Sequence, residues 1–146
     1  MNTPATGKAL STRVTLAVAA VAFAAFSTIT LAKEIKITLG GDQEVPPVTT
    51  SASGTGTIVI NDDKSVSGSI TTTGVVSVAA HIHEGAAGKN GPVSVPLVKA
   101  GDHGWTVAAG AKLTDAQFES FKAGNLYVNV HSAAHKGGEI RGQLKP

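Results

Sequence analysis

From residue 34 onward, apolar residues recur at every second position in short runs. In EIKITLGG (34–41), Ile35, Ile37 and Leu39 alternate with polar neighbours, which is the spacing of a half-buried strand. The same period runs through GTGTIVIN (54–61) and VSGSITTTG (66–74). The turn residues NDDKS between them predict a hairpin. VVSVAAHIHEG (75–85) and VSVPLV (93–98) read as further strands. Pro96 in the second has no N–H to give a ladder, so it predicts an edge or a bulge. WTVAAG (105–110) reads only as a short extended piece.

The period changes once. LTDAQFESFKAGN (113–125) has Phe118 and Phe121 three apart, Thr114 or Asp115 as a cap and Gly124 as a stop. These predict one short helix. Strands return in NLYVNVHS (125–132) and GEIRGQL (138–144). In the first, Leu126, Val128 and Val130 share one face, and Tyr127, Asn129 and His131 share the other. Two loops stand out: GDQEVPPVTTSASG (41–54), with two prolines, and the glycine-rich GAAGKNGPV (85–93). Short strands at roughly ten-residue spacing predict an all-β fold, an antiparallel Greek-key β-sandwich with one short helix.

The first residues follow a different rule. Lys8 and Arg13 precede the uncharged run LAVAAVAFAAF (16–26), and small residues follow up to Ala32. That is the layout of a secretory signal peptide, 1–32, cleaved after Ala32, with an uncleaved amino-terminal anchor as the competing reading. The apolar run is too short to span a bilayer, which takes about 20 residues. The expected location is therefore periplasmic or secreted, with no membrane attachment after cleavage and a single domain over 33–146. Lys8 and Arg13 leave with the leader, so the twelve basic residues fall to ten against ten acidic ones. The neutral remainder has no basic stripe for nucleic acid. The chain has no cysteine, which excludes thiolate nucleophiles and copper–thiolate sites. GAAGKNG is not a phosphate loop, since no GK[ST] occurs.

Two of the five histidines, His81 and His83, stand one residue apart in the fourth run. On a strand they project together, opposite Val78, Ala80 and Ile82. His131 likewise lies opposite Val128 and Val130. All three are expected to point away from the core, where neighbouring strands can bring them to one metal ion. His135 follows across a Ser-Ala-Ala turn as a fourth candidate, and His103 sits in a loop. Neutral imidazoles suit Cu(II) or Zn(II). An ordinary polar strand face would look the same. Glu84 is a candidate acceptor for an imidazole N–H, Glu139 and Arg141 share a face and can pair, and Trp105 and Tyr127 read as packing residues.

LGGDQEVPPV, AHIHEGAAGKNGPV and GNLYVNVHSAAHKGGEIRGQL together resemble the CHRD domain, a module named for chordin and common in secreted bacterial proteins. The resemblance covers nearly all of 34–146 and implies a β-sandwich, without a settled activity. More faintly, the HIHEG run is similar to the copper-ligand strand of copper–zinc superoxide dismutase, an Ig-like Greek-key barrel. That likeness implies copper at His81, His83 and His131. The dismutase's cysteine pair and its zinc loop have no counterpart here. The leading expectation is a periplasmic CHRD protein binding copper, or alternatively zinc, through these histidines with His135 as a possible fourth ligand. The rivals are a protein-interaction or matrix module with a protein partner, and a dismutase-like oxidoreductase. No catalytic residue is assigned.

Overall fold

The computed structural model describes Met1 and residues 32–146. The expected signal peptide, apart from its two end residues, lies outside the described residues. No helix among the described residues is long and apolar enough to cross a membrane.

The domain is all-β with one short helix, as expected, and its strands pair antiparallel. They are β1 (Ala32–Gly40), β2 (Ser53–Asn61), β3 (Val66–Thr73), β4 (Ser77–Glu84), β5 (Val93–Ala100), β6 (Gly104–Val107), β7 (Leu126–Ser132) and β8 (Ile140–Leu144). Neighbour by neighbour they run β1-β2-β3-β6-β5-β4-β7-β8 and close into a barrel. The expected two-sheet sandwich is therefore corrected to a closed barrel, joined on one side by the β1–β8 pair Gly40↔Arg141 and on the other by β6. This piece has only four residues. It pairs with β3 through Ile70↔Trp105 and with β5 through Lys99↔Trp105. Two sheets that a sandwich would keep apart are thereby joined.

The β2–β3 hairpin has the expected register, from Ser53↔Thr73 to Ile60↔Val66. Its turn is held by Asp63, whose Oδ1 accepts from the amide and the hydroxyl of Ser65. Pro96 stands just before β5 begins to pair with β6 at Leu97. Opposite Pro96 stands His81, and the next pairs, Ile82↔Val95 and His83↔Val93, leave Ser94 of β5 as an extra residue. The bulge that the proline predicted thus falls on β5 itself, beside Pro96.

Alternation fills the barrel. Ile58, Ile82, Leu126, Val128, Val130, Ile140 and Leu144 all have no exposed surface. Each such side chain stabilises the fold by about 1.5–3 kcal/mol relative to exposure. The helix α1 (Asp115–Lys122) starts with a capping box between Thr114 and Gln117, which satisfies two of its free donors. It buries Phe121 in the same core cluster.

Candidate metal centre

β4, β7 and β8 are adjacent, and their outward side chains form rows. His83 faces Tyr127, which faces Gln143. One step along, His81 faces Asn129, which faces Arg141. His131 faces Ala79, which places it diagonal to His81. Ala80, Ile82, Val128 and Val130 point inward and are buried, so all three histidines lie on the outer face, as alternation required. Val78 departs from that reading. It is 58% exposed, because the register shifts between Ser77 and Ala79 and turns it outward. Ser77 is buried in its place and accepts from the Trp105 indole N–H at 3.0 Å.

The three imidazoles converge. Their ring centroids are 5.0–6.0 Å apart, and one ligand atom from each lies within 4.8 Å of the others. A single ion at about 2.0–2.1 Å from each nitrogen needs them about 3–4 Å apart, a small closure. His135 is not in this convergent group. It lies on the turn after β7, where its carbonyl accepts from the amides of Ser132 and Gly138. His103 contributes its carbonyl, which accepts from Thr72.

Hydrogen bonds settle which nitrogen of each ring is bare. Nδ1 of His83 lies 3.0 Å from the carbonyl of Gly91, and Nδ1 of His131 lies 2.8 Å from the carbonyl of Lys136. A carbonyl only accepts, so each Nδ1 carries the proton and each Nε2 is unprotonated. Nδ1 of His81 is 3.0 Å from Nε2 of His131, and it is therefore the donor there. Nε2 of His83 is buried with no hydrogen-bond partner among the described residues. Burial pushes the pKa of His81 below its ordinary 6.5, and the neighbouring His131 and His83 push it further. Burial lowers that of His83 too, against the opposing Gly91 hydrogen bond. Both shifts favour the neutral ring, the form that binds metal.

Both acceptors are backbone groups. Glu84, the expected acceptor, takes the hydroxyl of Ser120 on α1 at 2.6 Å instead. The Gly91 carbonyl reaches His83 because position 91 has no side chain: a Cβ there would sit 1.6 Å from the Glu84 carbonyl oxygen. The loop carrying Gly91 is clamped by Arg141, which is 1% exposed. Its guanidinium donates to the carbonyls of Lys89 at 2.9 Å and Ala86 at 3.0 Å. Gln143 adds a bond to the Gly85 carbonyl at 2.9 Å. The expected Glu139–Arg141 pair does not form, since Glu139 accepts from the Thr50 hydroxyl.

Tyr127 is buried, but outside the barrel. His83 stacks on its ring at 5.0 Å, with planes 7° apart, and the Arg141 guanidinium lies 3.4 Å from the ring centroid. Its hydroxyl accepts from the Gly91 amide at 3.2 Å, so the ring braces both the ligand and the ligand's acceptor. Glu44, from the EVPP loop, is buried beside this face. It accepts from Asn129 Nδ2 at 2.7 Å. Burial raises its pKa from 4.5 to about 7, although Arg141 and the Val45 amide pull the other way.

The segments that build this face are the loop before Pro47, the strand-and-loop unit 80–93 and the final two strands. A sequence profile of the CHRD domain matches residues 35–144. The chain belongs to the CHRD domain family. In this CHRD domain the family's span and the closed barrel coincide. No curated protein and no solved structure matches the chain, and the likeness of HIHEG to the dismutase strand rests on the sequence alone. Sequence reading missed Glu44, Asn129, Gly91 and the bracing role of Tyr127. Only the outward alternation of Tyr127 and Asn129 with His131 pointed toward them.

Proposed function

We propose that this is an exported CHRD module that binds one copper ion through His81, His83 and His131. The observation that carries the reading is the convergence of three imidazoles with two of their tautomers held by backbone carbonyls. Nε2 of His83 is bare already, and Nε2 of His131, unprotonated, accepts only from Nδ1 of His81. Nδ1 of His81 becomes a ligand once its proton moves to Nε2 of the same ring. Imidazole ligands favour copper over the other divalent ions by intrinsic affinity, with zinc as the competitor. The leader-like residues 1–32 support delivery to the periplasm or beyond. There the module would hold or pass on copper, or cycle it as a simple redox site.

The rival reading, a protein-interaction module, is favoured by exposed Val76, Val78, Val93 and Val98, which are between 46% and 87% exposed. Copper titration of residues 33–146, beside a His81→Ala/His83→Ala variant, separates the two. Tight one-to-one binding with nitrogen hyperfine structure, lost in the variant, supports the copper reading. Weak binding that is equal in both proteins would reject it and leave the valine surface as the functional one.

A further inference from the structure

Asn129 is 2% exposed. Its Nδ2 is taken by Glu44, yet its Oδ1 is buried with no hydrogen-bond partner. A buried amide oxygen left in that state is unfavourable, so a donor belongs there. The terminal guanidinium nitrogens and the Nδ1 donors on the neighbouring strands have other partners. Arg141, opposite Asn129 on β8, gives its terminal nitrogens to Lys89, Ala86, Asn90 and Gln143. His83, on the diagonal, gives Nδ1 to Gly91, and His81, opposite Asn129 on β4, gives Nδ1 to His131 in the metal-free fold. In the loaded form the Nε2–H of His81 is the competing donor.

Two buried lone pairs thus flank one face: Nε2 of His83 and Oδ1 of Asn129. A cation satisfies the first. The second is an amide carbonyl two residues before His131, and a hydrogen-bearing ligand on the same cation satisfies it. We propose that the metal held by His81, His83 and His131 carries a water molecule that donates a hydrogen bond to Asn129 Oδ1. Glu44 fixes the amide's orientation, because its Oε1 holds Nδ2 and leaves Oδ1 as the end without a partner. Gly138 makes the pair possible. A Cβ there would lie 2.2 Å from Asn129 Nδ2 and 2.6 Å from Glu44 Oε1. Asn129 is a positioning residue: it touches the metal's ligand and not the metal.

The inference rests on the copper reading, so its test reports on both. Copper-loaded protein is examined by pulsed electron–nuclear resonance in water enriched in the magnetic isotope of oxygen. The wild type is expected to show imidazole nitrogen couplings together with an oxygen coupling from the bound water. Asn129→Leu removes the acceptor. It should keep the nitrogen couplings and lose or reduce the oxygen coupling, with copper affinity down by about ten-fold or less. Glu44→Gln with Asn129→Asp reverses donor and acceptor, keeps a free carboxylate oxygen and should retain the water signal. Nitrogen couplings without any oxygen coupling in the wild type would overturn the inference and leave the copper reading standing. So would an Asn129→Leu spectrum identical to wild type, because capture of Asn129 by the His81 Nε2–H would leave the oxygen coupling unaffected by that substitution. Absence of nitrogen couplings would sink both. If Asn129→Leu does not fold, the wild type and the reversed pair still decide.

Discussion

The two faces of the β4–β7 ladder are built from alternate residues of the same strands, yet they are assembled by different rules. Inside, Ala80, Ile82, Val128 and Val130 meet other aliphatics and need only be apolar and fit the space. Outside, His81, His83, Tyr127, Asn129 and His131 meet loops from distant parts of the chain. There every polar atom needs a named partner. The inner face follows from local periodicity. The outer face depends on contacts such as Asn129 with Glu44, 85 residues apart in sequence.

The contrast can be tested by breaking each side alone. Ile82→Ala opens a cavity in the barrel and should destabilise the domain by about 2–5 kcal/mol. Chemical denaturation reads this. Copper affinity of the folded fraction should stay near wild type.

Glu44→Gln acts on the outer face and should depend on pH. A free glutamate titrates near 4.5, and Glu44 in the fold near 7. The folded state therefore holds the proton more tightly, and stability falls as pH rises from about 4.5 through 7, then levels off. The uncharged glutamine lacks this loss. The variant should gain nothing at pH 4 and at most about 3 kcal/mol at pH 8. A stability difference that does not change with pH would show that Glu44 is not held as described.

Gly91→Ala forces the loop away from Glu84 and removes the acceptor from His83. Copper affinity should fall by about 10–100-fold, measured by calorimetry, with the barrel still folded. The smallest effect should be on the stability of His81→Ala/His83→Ala without metal. These are partly exposed groups on the outer face, and denaturation should shift by no more than about 1 kcal/mol while copper binding is lost.

Legibility in the sequence follows the same division. Ile35, Ile37 and Leu39, or Val128 and Val130, declare their face by period two, and the outward histidines follow from them. Val78 misled because a bulge leaves no periodic trace. The barrel's closure was hidden because Gly104–Val107 is too short to show a pattern, although pairing on both sides makes it decisive. Gly91 and Lys136 act on the histidines through carbonyl oxygens, which every residue has. No side-chain chemistry could mark them. Arg141 read as a partner for Glu139 because its actual partners are backbone groups in a loop some 50 residues earlier.

β1 and β8 meet through one ladder pair, Gly40↔Arg141, whereas β1 and β2 share a register from Ala32 to Gly40. The cylinder therefore has a thin stave joint, and thermal breathing should begin there. Amides along that joint should trade hydrogen for deuterium before those of the β4–β7 pair. Arg141 sits on the joint and also grips the loop behind His83, so each opening slackens that grip. How long a captured ion stays would then be governed by the lifetime of a seam on the neighbouring strands, and not by the imidazoles alone.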